Sequence, residues 1–166
     1  LEANPDDLSL KKITQLAVTP INRLSIGVQS FFEADLKLMN RAHTAKEALE
    51  SLKIAQTYFD NITIDLLYGM PEMSNVRWEE NLQIAFDLKL NHLSCYALTV
   101  EPKTPLAHFI KTAQHPPFND TVAAQHFQTL VTATANAGFT HYEVCSFAKP
   151  GYFSKHNSSY WLGKPY

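Results

Sequence analysis

The sequence has only two cysteines among its 166 residues. Cys95 and Cys145 lie far apart, each in an apolar stretch, and this spacing fits no zinc or iron–sulfur motif. Two cysteines are also a thin basis for a disulfide framework. We therefore expect two buried free thiols in a protein of the reducing cytoplasm.

Charge of one sign and long apolar runs are lacking as well. The formal net charge is −2. The sequence therefore lacks the excess of basic residues that would indicate a nucleic-acid partner. No apolar run approaches the roughly 18 residues that cross a bilayer. The length suits a single domain with its own core. The opening LEANP, which has no methionine, and the closing LGKPY predict a segment of a longer protein.

Three segments alternate apolar and polar residues in the manner of β-strands. They are RLSIGVQS at 23–30, ITIDLLYG at 62–69 and HLSCYALTV at 92–100. One face of the first two strands carries the non-apolar residues Ser25, Gly27, Gln29, Thr63 and Asp65. The polar face of the third strand is harder to assign.

Apolar residues at helical spacing predict helices around these strands. The predicted helices cover residues 6–17, 44–59, 74–88 and 119–138. Thr44 and Glu47 form a capping box, Ser74 is an N-cap, and Gly138 is a stop signal. The region around EPKTPL and QHPPFND, which is rich in proline, is predicted to be irregular surface.

Strands that alternate with helices predict an α/β fold with parallel strands and right-handed crossovers. The strands of an open doubly wound sheet are nearly all apolar, because helices cover both faces. The polar face found here therefore favours a barrel or partial barrel whose lumen binds a ligand. In such folds chemistry takes place at the C-terminal strand ends, where Gln29 and DLLYGMP lie.

Taken singly, these polar residues allow more than one interpretation. Gln29 suits a hydrogen-bonded core amide, and Arg41 suits a solvated surface position. A buried Asp65 needs hydrogen bonds or a cation. A ligand diol, a nearby lysine or backbone amides would each satisfy it. Glu2 alone is uninformative.

Seven motifs together resemble a known family. In chain order they are LEANP, NRLSIGVQSF, LMNRAH, IDLLYGMP, YALTVEPKTPL, HYEVCSFAKPG and SKHNSSYW. They resemble the HemW family of radical S-adenosylmethionine (SAM) proteins, which are related to the oxygen-independent coproporphyrinogen III oxidases. The resemblance covers essentially the whole chain. It implies that residues 1–166 are the C-terminal portion of a (β/α)6 partial barrel, truncated at the N-terminus, from a protein that binds SAM at a [4Fe–4S] cluster.

The resemblance also implies which residues contact SAM. Glu2 matches the residue that holds the amino group, and Arg41 matches the one near the carboxylate. Gln29 and Asp65 match the residues on the ribose. Ala97 matches a small residue beside the adenine. The chemistry agrees, because an ammonium suits Glu, a carboxylate suits Arg, and diol hydroxyls suit Asp and Gln.

The family's cluster ligands, CxxxCxxC, and its glycine-rich ligand loop precede EANP and are not in this sequence. Without three thiolates in one loop, no [4Fe–4S] cluster is held. We therefore expect neither a catalytic residue nor a cluster ligand in this segment, which alone would not cleave SAM. An uncovered sheet edge further predicts self-association of the segment or a rearranged N-terminal strand.

The HNxxYW sequence at 156–161, on what looks like a loop, resembles a signature of HemW proteins that is connected with haem binding. His156 would be the axial ligand, because neutral imidazole binds haem iron well. Tyr160 and Trp161 would lie against the macrocycle. The alternative is that His156 caps a turn and the two aromatic residues anchor the tail in the core.

Three functions stay open on this basis. The first is a haem chaperone that receives haem and passes it to acceptor proteins. The second is a coproporphyrinogen III oxidase, in which a deoxyadenosyl radical starts decarboxylation of the propionates of a porphyrin precursor. The third is an inert scaffold piece. The motifs favour the chaperone, and contact with a membrane surface is left open.

Overall fold

The computed structural model describes residues 1–164. One sheet of six strands has the order β1-β2-β3-β4-β6-β5. The strands are β1 (Glu2–Ala3), β2 (Leu24–Gln29), β3 (Ile62–Tyr68), β4 (His92–Ala97), β5 (Thr140–His141) and β6 (Ser146–Ala148). The first four are parallel, whereas β6 is antiparallel to both β4 and β5. The three predicted strands and their parallel arrangement are confirmed.

Residues 1–164 contain seven α-helices, several of which contribute buried apolar residues to the core. They are α1 (Leu10–Ala17), α2 (Glu33–Leu38), α3 (Ala45–Ala55), α4 (Asn75–Asp87), α5 (Pro105–Lys111), α6 (Asp120–Asn136) and α7 (Lys155–Trp161). α3, α4 and α6 confirm three of the predicted helices. Thr44 and Glu47 form both bonds of the predicted capping box. Gly138, with a φ of 79°, follows the end of α6.

The first helix and the segment rich in proline differ from their predictions. The first helix begins at Leu10 instead of residue 6, because Ser9 caps it and Pro5–Asp7 forms a separate 3-10 turn. The segment predicted to be irregular contains α5. Its N-cap is Thr104, whose hydroxyl accepts the backbone N–H of Ala107, and proline is tolerated in the first turn that follows.

The loop predicted for SKHNSSYW is wrong, because this segment forms α7. Ser154 is its N-cap, and the Ser154 hydroxyl accepts the backbone N–H of Asn157 at 3.3 Å. None of the helical residues of α7 is buried. The polar cap therefore starts this helix without the help of an apolar face.

The apolar faces of β2 and β3 form the centre of the core. Their alternating side chains are completely excluded from solvent at Leu24, Ile26, Val28, Ile64 and Leu66. Burial of one such side chain contributes about 1.5–3 kcal/mol. The remaining side chains of these strands point to the opposite face, which holds the cavity described below. No helix within residues 1–164 is long and apolar enough to span a membrane.

Candidate functional site

A cavity of about 540 Å³ lies on the polar face of the sheet. Glu2, Gln29 and Asp65, which belong to β1, β2 and β3, all line it. Ser25 pairs with Thr63 in register, and both line the same cavity. Residues two apart on a strand share a face of the sheet. Because neighbouring strands are in register, their polar side chains lie side by side on that face. Three of the five predicted SAM contacts are therefore brought together.

Asp65 is the half-buried acid of this cavity. The pKa of its carboxyl is raised from 3.8 to about 6, chiefly by burial and also by the nearby charge of Glu2. Hydrogen bonds from the hydroxyls of Ser94 and Ser25, and the charge of Arg23, lower that pKa. Two serine hydroxyls and a guanidinium therefore favour the charged form of this carboxyl. A ribose diol offers the same kind of donor.

Gln29 and Arg41 meet above Gly27. A Cβ atom on Gly27 would lie 2.9 Å from the amide nitrogen of Gln29 and 3.5 Å from the guanidinium of Arg41. Arg41 also donates to the Gly27 carbonyl at 3.2 Å and to the side chain of Asn4 at 2.6 Å. Gly27 therefore leaves room for two of the predicted ligand contacts, and Arg41 is not a solvated surface arginine.

A second cavity, of about 620 Å³, lies at the C-terminal ends of the strands. Arg41 lines it together with apolar residues that include Met39, Leu98 and Phe109, and Gln29 lines both cavities. Ala97 is the predicted SAM contact that does not lie beside the others. It pairs with Tyr68 on β3 and lines neither of these two cavities.

Alternation on β4 places His92, Ser94 and Tyr96 in the first cavity. His92 contacts the hydroxyl of Thr63 and, at 2.7 Å, that of Tyr142. Burial, together with the charge of Arg23, lowers the pKa of His92 to about 3, so the imidazole is neutral at neutral pH. Sequence reasoning missed this group, although the alternation of HLSCYALTV contained the signal.

The helix α7 closes the other side of this cavity. His156 and Asn157 line it. The hydroxyl of Tyr160 lies 3.2 Å from Nε2 of His156, with the two rings nearly perpendicular. The side chains of Tyr160 and Trp161 are 53% and 64% exposed, so they do not anchor the tail in the core. His156 is therefore the one predicted haem residue that lines this cavity, together with the predicted SAM residues Glu2, Gln29 and Asp65.

The residues that the structure describes do not fit a [4Fe–4S] cluster. Among residues 1–164, no group of three or more His, Cys, Asp or Glu side chains could hold a metal ion. Cys95 and Cys145 are free, as predicted, but only Cys95 is fully buried. Burial raises the pKa of the Cys95 thiol well above its ordinary value, which disfavours the thiolate that binds iron. The acidic and amide groups of the first cavity fit the ammonium and diol of a SAM molecule.

Comparisons with known proteins agree with this architecture. The radical SAM superfamily model matches residues 1–113. The heme chaperone HemW of Bacillus subtilis is 36% identical over the whole chain, which spans 44% of that protein. The mitochondrial radical S-adenosyl methionine domain-containing protein 1 of Mus musculus is 36% identical over 97% of the chain, which spans 37% of that protein.

The fold is also that of a solved structure. Coproporphyrinogen III oxidase from Escherichia coli matches 98% of the chain with a TM-score of 0.79, and the match covers 37% of the oxidase chain. At 24% identity this likeness shows the fold alone. The chain spans less than half the length of the curated relatives described above. The matched superfamily model, the parallel sheet and the resemblance of the seven motifs agree, and the chain belongs to the radical SAM superfamily.

Proposed function

We propose that the whole protein is a haem chaperone of the HemW type, which receives haem and passes it to acceptor proteins. The observation that carries this proposal is the position of His156, on a short helix that lines the cavity of the radical SAM sheet. The names of relatives about 36% identical over the chain support it. In this proposal, residues 1–166 are the C-terminal part of the partial barrel, and cluster ligands come from residues that precede them.

Glu2, Gln29, Asp65 and Arg41 would hold SAM in this proposal, at its amino, ribose and carboxylate groups. Ala97 is the weakest of the proposed contacts, because it lies outside both cavities. Bound beside a reduced cluster, SAM would supply radical chemistry. The role of this chain is to bind and orient the ligand. Asp65, with a carboxyl pKa of about 6, is ionised at neutral pH and accepts hydrogen bonds.

The haem end of the cavity would use α7. His156 supplies an imidazole for haem iron, and the exposed rings of Tyr160 and Trp161 supply aromatic surface for the macrocycle. Ligation through Nε2 requires that the Tyr160 hydroxyl, now 3.2 Å away, gives up its contact. The proposal places the protein in the cytoplasm and leaves contact with a membrane surface open.

A haem titration of the full-length protein tests this proposal. The Soret band of added haem should shift on binding, and His156→Ala should remove that shift. His115→Ala is the matched control, because His115 lines neither the first nor the second cavity. A shift that survives His156→Ala would assign the iron ligand to another residue and would overturn the assignment of His156.

The second candidate is a coproporphyrinogen III oxidase. The mostly apolar cavity with Arg41 at the C-terminal strand ends favours it, since enzymes of barrel type bind their substrates there. Shared fold alone is weak evidence for a shared reaction. Anaerobic full-length protein, with its cluster reduced and SAM added, should leave coproporphyrinogen III unchanged. Its conversion to protoporphyrinogen IX would overturn the chaperone proposal.

A further inference from the structure

The backbone at Gln29 has an unusual conformation. Its φ is 69°, which is uncommon for a residue other than glycine. The N–H of Ser30 donates to the carbonyl of Val28 at 2.9 Å, so Gln29 is the central residue of a three-residue turn. A γ-turn with a positive central φ is rare and strained. Such strain persists only where the surroundings determine the conformation.

Buried hydrogen bonds hold the chain on the C-terminal side of this turn. The side-chain oxygen of Asn81 on α4 accepts the N–H of Phe31 at 2.7 Å. The Ser30 hydroxyl donates to Asp35 at 2.7 Å and accepts the N–H of Phe32 at 3.1 Å. Ser30 and Asn81 are completely excluded from solvent, and Asp35 is 2% exposed. The two residues after Gln29 therefore have little freedom.

The N-terminal side of the turn is fixed too. The carbonyl of Val28, which already accepts from Ser30, lies 3.1 Å from Nε2 of the buried His43. A carbonyl only accepts, so this nitrogen carries the proton. Gly27 leaves space for the Gln29 amide, because a Cβ there would lie 2.9 Å from its nitrogen. These contacts fix the backbone on both sides of Gln29, and the Gln29 side chain lines both cavities.

We propose that Asn81 is a positioning residue, which acts on the bound ligand only through Gln29. It lies on a helix that packs against the opposite, apolar side of the sheet, and its oxygen binds the backbone two residues after Gln29. Its amide nitrogen donates to the Arg77 carbonyl on its own helix, which holds the side chain in place. This inference rests on the proposed function, in which Gln29 contacts the ribose of SAM.

A double-mutant cycle in the full-length, anaerobically reconstituted protein tests the proposal. Asn81→Leu keeps the volume and removes the acceptor. We expect Asn81→Leu and Gln29→Ala each to weaken SAM binding about tenfold in equilibrium dialysis, the equivalent of one or two hydrogen bonds. The double variant should bind no more weakly than Gln29→Ala alone. Thermal unfolding should show that Asn81→Leu lowers Tm in both backgrounds.

Thr134→Val is the matched control. Thr134 is 1% exposed, and its hydroxyl donates to the Leu130 carbonyl of its own helix. This variant should lower Tm and leave SAM affinity unchanged. If Asn81→Leu fails to fold, Ser30→Ala replaces it in the same cycle, because Ser30 adjoins Gln29 in the same network.

The outcomes separate the inference from the proposed function. Losses that add in the double variant, or an unchanged affinity in Asn81→Leu beside a weakened Gln29→Ala, would overturn only the positioning role. An unchanged affinity in Gln29→Ala would overturn the ligand contact itself and, with it, this inference.

Discussion

At the residue scale, Asp65 is maintained at a cost to stability. Its carboxyl pKa is about 6 in the fold and 3.8 ordinarily. Below pH 3.8 the group is neutral in both folded and unfolded chains, so it carries no penalty. Between pH 3.8 and 6 the unfolded chain loses this proton while the folded chain keeps it, so the free energy of unfolding falls. Above pH 6 the folded chain carries the buried charge, and the penalty is complete. The difference amounts to about 3 kcal/mol at neutral pH.

We therefore predict that Asp65→Asn stabilises the full-length protein by about 1–3 kcal/mol at pH 7.5, and by much less near pH 4. The same change should weaken SAM binding, since the acceptor charge is lost. Urea unfolding at the two pH values measures the first effect and equilibrium dialysis the second. Asp60→Asn, at an exposed position, should change neither. Equal stability of Asp65→Asn and the parent at pH 7.5 would contradict the prediction.

Period-two alternation correctly predicted which residues of β2 and β3 share the polar face. It could not predict the left-handed backbone of Gln29, because that conformation depends on Asn81, which is 52 positions away along the chain. The alternation of HLSCYALTV indicates that His92 lies on the polar face, but it does not reveal which side chain His92 contacts. Its partner Tyr142 belongs to a distant segment, and a lone histidine in a strand carries no sign of that contact.

At the element scale, α7 depends on contacts at its start. The N–H of Ser154 donates to the hydroxyl of Tyr142 at 3.0 Å, and Asn157 donates to Ser146 at 3.4 Å. A helix of seven residues is not stable in isolation. The hydroxyl of Tyr142 therefore joins α7 to His92 on the sheet.

We predict that Tyr142→Phe lowers the free energy of unfolding by about 1–2 kcal/mol, because it leaves two buried polar groups without a partner. Amide hydrogen exchange in 155–161 should be faster in Tyr142→Phe than in the parent, whereas exchange in α4 should change little. Tyr58→Phe, at a tyrosine that is 45% exposed, is the control and should have little effect. Unchanged exchange in α7 would show that other contacts hold this helix.

The elements that the sequence did not reveal share a physical property. α5 and α7 have no buried residues, so they lack the apolar stripe by which a helix is recognised in a sequence. Only their N-caps, Thr104 and Ser154, mark their starts. β5 and β6 have two and three residues, too few for alternation to be recognised. By contrast, α3 and α4 bury an apolar stripe and were predicted correctly.

At the scale of the whole molecule, β1 is an edge strand of the sheet formed by residues 1–164. An edge presents unpaired backbone groups to other chains. We predict that residues 1–166, prepared alone, form particles heavier than 18.8 kDa in light scattering, and that their mass falls on dilution. The full-length protein under the same conditions is the control. A monodisperse monomer of the segment would contradict this prediction.

The reversed direction of β6 affects where ligands approach the cavity. Ala148 at its end pairs with His92 at the start of β4, so the chain returns to the N-terminal ends of the parallel strands before it forms α7. Arg23 and Gln29 mark the two ends of β2 in the cavity, about 20 Å apart at the rise of a strand. The start of α7 lies beside Tyr142 and His92, at the N-terminal end of β4. A nucleoside bound at Gln29 and a metal-bearing ring bound at His156 would thus approach the cavity from opposite ends of the parallel strands.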